Sequence, residues 1–267
     1  MSQGRGRSFG ANILISFAFT GLMTGLAFGN SIIVARMVGT EGRGLYALAV
    51  AVLGIGIPLA NLGLSFSSTW ALGQGRSLAE VSSLNHLWNA LLLVFGAGVA
   101  GAGVWWFDGL PEAEWPLVII ACALTLPASV YLENTRGVLL GMNQVVRYNV
   151  VAASSTAVLL VANLLLLGWG PEAVLLTLGI AYWLPAVLVL IAHAPHMLSA
   201  VWPRREFVDE NVRYGVKATG SHLIEVLLLR LDYLLVTPIV GIAAVGLFSV
   251  ADQIATVLAW GGLIAGR

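Results

Sequence analysis

Long apolar runs separated by short polar segments dominate the chain of 267 residues. Each run has about the length, roughly 20 residues, that a helix needs to cross the apolar core of a bilayer. The runs lack the alternation of an outer-membrane barrel, and a helix satisfies its own backbone hydrogen bonds in lipid. The pattern therefore predicts an all-α integral membrane protein with about eight transmembrane helices, at residues 9–34, 45–70, 84–107, 115–131, 148–167, 173–192, 216–240 and 245–264.

Composition agrees with this prediction, since 58% of the residues are hydrophobic and only 10% are charged. Thirteen Lys and Arg balance 13 Asp and Glu, so the net charge gives no reason to expect nucleic acid binding. Cys122 is the only cysteine, which excludes an intrachain disulfide and a cysteine cluster for zinc. Because no nucleophile with an activating base stands out either, we predict no enzyme, no metal site and no cofactor.

Basic residues lie mainly on one side of the predicted bundle. Nine fall on the side of the N-terminus and two on the opposite side, and Lys and Arg are enriched in cytoplasmic loops. We therefore expect a multi-pass protein of the cell (inner) membrane with a cytoplasmic N-terminus. The nine are Arg5, Arg7, Arg76, Arg136, Arg147, Arg204, Arg205, Arg213 and Lys217, and the two are Arg36 and Arg43.

One connection, 193–215, is much more polar than the others. It predicts a cytoplasmic linker between a six-helix lobe at 1–192 and the first two helices of a second, incomplete lobe at 216–267. A motif that recurs at a constant offset of 202 residues indicates a parallel repeat. Val38, Gly39, Gly44, Leu45 and Ala49 correspond to Val240, Gly241, Gly246, Leu247 and Ala251, and Tyr46 corresponds to Phe248.

The same residues carry a resemblance to a known family. Residues 35–47, ARMVGTEGRGLYA, resemble the first outside loop of the polysaccharide-export and O-antigen flippases of the multidrug/oligosaccharidyl-lipid/polysaccharide superfamily. Asn61-Leu62-Gly63-Leu64 resembles the end of their second helix, and 141–144 and 214–232 add weaker similarities. Family members are longer, so we expect this chain to be an N-terminal lobe plus two helices, truncated from a longer gene product.

Four ionisable residues lie inside predicted spans, where a charge costs roughly a few kcal/mol. They are Glu225, Arg230 and Asp232 in one span and Asp252 in the next. One hypothesis is that the carboxylates line an aqueous cavity and couple transport to an ion, while Arg230 binds a pyrophosphate. The alternative, given equal weight, is that all four form contacts between helices that fix their packing.

Two further arginines are candidates for substrate binding. Arg36 closes the first span and either meets a pyrophosphate or extends to the membrane interface. Arg136 follows Glu133 by three residues, so it either receives an incoming phosphate or forms an ion pair within its own helix.

The resemblance implies a flippase that translocates a polyprenyl-diphosphate-linked oligosaccharide across the cytoplasmic membrane for cell-surface polysaccharide and lipopolysaccharide biosynthesis. Its partners would be the lipid-linked oligosaccharide, membrane lipids, and a polysaccharide polymerase or glycosyltransferase. Two alternatives are a cation-coupled multidrug antiporter of the same superfamily and a non-transporting membrane scaffold of a polysaccharide-export complex.

Overall fold

The computed structural model of the protein describes residues 9–107, 114–197 and 201–265, all of whose regular structure is helical. This confirms the predicted fold class. Arg5 and Arg7, which entered the orientation argument, lie outside the described residues. The helices are α1 (Phe9–Asn61), α2 (Leu64–Gly73), α3 (Leu78–Phe107), α4 (Glu114–Gly141), α5 (Val145–Leu166), α6 (Ala173–Met197), α7 (Arg205–Val240) and α8 (Ile242–Ala265), with one turn of 3-10 helix at Leu167–Trp169.

The helix α1 supplies two of the predicted spans. It bends at Gly39, whose φ of 66° and ψ of −162° are unfavourable for any residue with a Cβ. At 1.5 Å per residue, the part before the bend is about 45 Å long and the part after it about 33 Å long. Both parts exceed the roughly 30 Å of the apolar core of a bilayer. The outside loop expected between the first two spans is therefore a bend in a helix.

Five helices of the described part are long and apolar enough to cross a membrane, with α1 counted once. They are α1, α3, α4, α5 and α6. The helix α8 adds a shorter apolar stretch, Ile242–Ala255. The helix α7 is not among the five because Glu225, Arg230 and Asp232 interrupt its apolar part. The protein is thus a multi-pass helical membrane protein.

The stretch 45–70, predicted as one span, is interrupted at residues 62 and 63. Leu62 and Gly63 both have positive φ values, 49° and 72°, and they separate α1 from α2. Asn61 stabilises the break, because its Oδ1 accepts a hydrogen bond from the backbone N–H of Ser65 (3.2 Å). Its Nδ2 also donates to Oδ1 of Asn134 on α4 (2.8 Å). Asn61 therefore stabilises the break and also holds it against α4.

The helix α7 packs closely against this break. A Cβ on Gly63 would lie 2.1 Å from the carbonyl oxygen of Gly215, so only glycine allows the contact. Further along, the rings of Trp70 and Tyr214 stack with centroids 4.7 Å apart. We call this end of the bundle the Arg204 end. Residues 205–215 of the predicted linker are helical here, and the division of the chain into two lobes stays a prediction.

At the opposite end, which we call the Gly39 end, the two copies of the sequence motif contact each other reciprocally. A Cβ on Gly44 would lie 2.0 Å from the carbonyl oxygen of Ile242, and a Cβ on Gly246 would lie 2.1 Å from that of Thr40. Residues 242 and 246 are the counterparts of 40 and 44 at the offset of 202. Gly241 also has positive φ, 85°, like its counterpart Gly39. This end therefore has a local pseudo-twofold symmetry, and we call the contact between α1 and α8 the seam.

Candidate functional site

A cavity of about 830 Å³ lies beside the first part of α1, with α4 and α5 forming its other walls. Four polar residues of α1 line it at intervals of four: Asn12, Ser16, Thr20 and Thr24. Positions four apart share one face of a helix, so these side chains form a continuous polar stripe. This stripe is not among the features predicted from the sequence, although the interval of four residues is visible there.

The stripe offers oxygen atoms to the cavity. The hydroxyls of Thr20 and Thr24 each donate to the carbonyl oxygen four residues earlier (2.9 Å). Each hydroxyl proton is therefore already used in a hydrogen bond, while the lone pairs of the oxygen can still accept one. Asn149 of α5 donates from Nδ2 to Oγ of Ser16 (3.2 Å) and joins the stripe to the opposite wall. A ligand with many hydroxyl donors would find acceptors along this face.

Arg136 of α4 lines the same cavity. Its Nη1 lies 2.6 Å from Oε2 of Glu133, so the ion pair that the spacing allows is present. Its Nη2 donates to the hydroxyl of Tyr148 on α5 (3.1 Å), and its Cζ lies 5.0 Å from the centre of that ring. The Nε is buried and has no hydrogen-bond acceptor among the described residues. The guanidinium is thus held in place by α4 and α5 and keeps donors to spare.

The intramembrane charges of α7 and α8 meet at an aromatic side chain. The hydroxyl of buried Tyr233 donates to Oδ2 of Asp252 (2.7 Å), and Cζ of Arg230 lies 6.0 Å from the Tyr233 ring centre. Arg230 is half-buried and packs against Gly54 of α1, where a Cβ would lie 3.6 Å from its Cγ and Nε. Asp232 accepts the backbone N–H of Tyr233 (2.9 Å). These three charged residues were predicted from the sequence, but Tyr233, which contacts all of them, was not.

The other two predicted residues are exposed. The side chain of Glu225 is 71% exposed, and its carboxylate lies 3.7 Å from Nδ1 of His222 on the same helix. Arg36 is exposed on α1, one turn before the bend at Gly39. The structure therefore does not bring Arg36, Arg136 and Arg230 to one site: Arg136 lines the cavity, and Arg230 packs against α1.

Arg43, counted in the sequence as a basic residue of an outside loop, is only 3% exposed. Its Nε and Nη2 donate to Oγ of Ser249 and Oε1 of Gln253 on α8, both at 2.9 Å. Its Nη1 donates to the carbonyl oxygen of Ser31 (3.3 Å), and its Cζ lies 5.7 Å from the ring centre of Tyr46. Sequence reasoning missed this site because both acceptor side chains lie more than 200 residues further along the chain.

The fold is similar to that of several solved structures described as MOP superfamily or MATE proteins. A MOP superfamily transporter from Pyrococcus furiosus, described as having a binding pocket of reverse polarity, is similar with a TM-score of 0.56 at 15% identity, covering 80% of this chain and 51% of its own. A MATE protein in complex with MaL6 gives 0.56 at 16% identity, covering 78% and 50%. A multidrug resistance MATE family transporter in an outward-facing conformation gives 0.52 at 17% identity, covering 92% and 58%.

The chain belongs to the polysaccharide biosynthesis protein family, whose sequence model matches residues 9–261. This confirms the resemblance found in the sequence and the prediction that the chain is not an enzyme. The chain spans about half the length of the solved structures that it matches. No curated protein matches it.

Proposed function

We propose that the protein translocates a polyprenyl-diphosphate-linked oligosaccharide across the cytoplasmic membrane, with its N-terminus in the cytoplasm, for the synthesis of a cell-surface polysaccharide. Membership of the polysaccharide biosynthesis family supports the substrate class. The observation that carries the proposal is Arg136 in the wall of a cavity of about 830 Å³ that also presents the polar stripe of α1.

The chemistry of such a substrate fits this cavity. A diphosphate needs cationic donors, and a guanidinium binds phosphate oxygens with two parallel hydrogen bonds. Arg136 is held by Glu133 and by Tyr148, so little side-chain entropy is lost when it binds. Sugar hydroxyls can donate to the Ser16, Thr20 and Thr24 oxygens. The cavity thus offers a cation for the diphosphate and acceptors for the glycan.

The test is translocation of a fluorescent polyprenyl-diphosphate oligosaccharide by the full-length protein in proteoliposomes. Arg136→Gln is expected to reduce the rate at least about tenfold at equal protein content, because the loss of a charged hydrogen-bonding group costs about that factor. Arg147→Gln is the matched control, since Arg147 is exposed on α5 and, among the described residues, donates to nearby Gln144 (2.9 Å). Unchanged translocation by Arg136→Gln would remove the substrate role.

The same vesicles separate the alternatives. Export of a cationic dye without movement of the glycan would favour the cation-coupled antiporter. Movement of neither, combined with co-purification of a polysaccharide polymerase or glycosyltransferase, would favour the scaffold.

The remaining predicted residues have proposed roles in the same cycle. Asp252 and Asp232, with Glu225, would couple translocation to an ion, and Arg230 and Arg36 would contact the diphosphate further along its path. Support comes from Tyr233, whose hydroxyl donates to Asp252 and whose ring centre lies 6.0 Å from Cζ of half-buried Arg230. Asp252→Asn should abolish the dependence of translocation on an ion gradient. Glu225→Gln, at the most exposed of these carboxylates, should have the smallest effect.

A further inference from the structure

The contacts of Arg43 form one half of a two-part interaction at the seam. Two of its three hydrogen-bond acceptors, Ser249 and Gln253, belong to α8, and the third is the Ser31 carbonyl in the first part of α1. Arg43 therefore joins the two copies of the repeat. We call Arg43 with these three residues the polar half of the seam.

At the offset of 202 residues, the counterpart of Arg43 is Val245, which is completely buried. Val245 packs in one apolar cluster with Ala47, Ala51 and Tyr233. These residues are the counterparts of the partners of Arg43: Ala47 corresponds to Ser249, Ala51 to Gln253, and Tyr233 to Ser31. The same contact is thus made twice, once by polar side chains and once by Val245, Ala47 and Ala51, with Tyr233 packed against them while its hydroxyl binds Asp252. We call the second version the apolar half.

The two halves differ in what it costs to separate them. When the polar half opens to water, water molecules can replace the hydrogen bonds that the guanidinium and its acceptors lose. Separating the apolar half exposes Val245 and the methyl groups of Ala47 and Ala51, and the cost grows with the area exposed. The polar half is therefore the side of the seam whose groups water can satisfy when it opens.

We propose that Arg43 is a positioning residue that controls the opening of the Gly39 end: the polar half of the seam separates during transport, while the apolar half stays in contact and acts as the pivot. The inference builds on the proposed function, because translocation requires this end to open. The proposed function by itself specifies neither the side of the seam that separates nor the residues that control the separation.

Two cysteine reporters with equal burial distinguish the halves. Ser31 and Ala47 are each 7% exposed, the first in the polar half and the second in the apolar half. Ser31→Cys keeps the backbone carbonyl that Arg43 uses. Each is introduced into the full-length protein with its other cysteines, Cys122 included, replaced by alanine. The rate of labelling by a membrane-impermeant maleimide is measured in vesicles of both orientations.

Two variants should shift labelling of the Ser31→Cys reporter in opposite directions. Gln253→Ala leaves a buried guanidinium without one acceptor and should raise the rate about tenfold, because a buried charge that has lost a partner is strongly destabilised. The triple variant Arg43→Val, Ser249→Ala, Gln253→Ala replaces the three polar side chains by the residues found at the corresponding positions of the apolar half. It should lower the rate below that of the unmodified seam and slow translocation.

The Ala47→Cys reporter should change less than about twofold in either variant. Thr177→Cys, at a fully buried position of α6, serves as the folding control and should stay unlabelled. Equal acceleration at Ser31→Cys and Ala47→Cys, or no change at Ser31→Cys in both variants, would overturn the proposal. Labelling needs no glycan, so an intact labelling pattern with no glycan movement would reject only the proposed substrate.

Discussion

The close approach of α7 to the break between α1 and α2 yields a quantitative prediction at Gly63. This residue has a φ of 72°, and a Cβ there would lie 2.1 Å from the carbonyl oxygen of Gly215 and 2.4 Å from Oγ1 of Thr219. The Thr219 hydroxyl can rotate away, but the backbone carbonyl cannot. Gly63→Ala must therefore either move α7 away from the break or distort the break itself.

The expected loss has two parts. Placing alanine in the left-handed region costs about 1 kcal/mol or slightly more, and forcing an extra methyl group into a packed contact costs about 1–3 kcal/mol. Together they predict a loss of about 2–4 kcal/mol in the free energy of unfolding. At roughly 2–4 °C per kcal/mol for a chain of similar size, Tm should fall by about 4–16 °C.

Gly75 supplies a matched control. Its φ of 77° is nearly the same, but no atom lies within 4 Å of the position that a Cβ would take. Gly75→Ala should therefore show only the backbone part, about 1 kcal/mol. Thermal unfolding of both purified variants in the same detergent measures the difference. If Gly63→Ala proved no less stable than Gly75→Ala, the close contact of Gly63 with α7 would not limit the side chain at this position.

Three further substitutions, one of them with a matched control, test other contacts by the same unfolding assay. Gly246→Ala should cost about 1–3 kcal/mol because its Cβ would overlap a backbone carbonyl of α1, whereas Gly98→Ala, which has open space, should be neutral or stabilising; equal effects would refute the seam contact. Glu80→Gln should lower Tm slightly, because it removes the charge that buried Glu80 offers to Arg204 (2.9 Å), and high salt should reduce the difference because the Arg204 side chain is 72% exposed; an unchanged Tm would show that the pair does not contribute to stability. Asn61→Leu should cost about 1–3 kcal/mol, because it removes the acceptor of the Ser65 backbone N–H and the donor to Oδ1 of Asn134. An unchanged free energy of unfolding would contradict a stabilising role for Asn61.

The apolar runs alone were sufficient to predict the helical class, because a run of about 20 apolar residues has few alternatives in a bilayer. The motif repeated at an offset of 202 residues correctly directed attention to Gly39 and Gly241. Their positive φ values show why glycine stands at both positions. The pairing of Glu133 with Arg136 also followed from spacing, because residues three apart on a helix are neighbours.

Hydropathy did not reveal the break at Leu62 and Gly63, although Asn61-Leu62-Gly63-Leu64 resembles the end of the family's second helix. The stretch 45–70 contains no charged residue, and hydropathy carries no information about the backbone angles of a single residue. What fixes the break is tertiary: Asn134 of α4 holds Asn61, and Gly215 of α7 occupies the space that a side chain at Gly63 would fill.

The sequence by itself therefore determined that the chain is a helical membrane protein and that it contains a repeated motif. Both depend on local composition and spacing. Only the tertiary structure decided what each charge does. Arg43 stands between two apolar runs like any loop residue, yet it is buried because acceptors from α8, about 200 residues away in the chain, converge on it. Burial and partnership of a charge depend on which helices meet, and the order of residues along one helix does not contain that information.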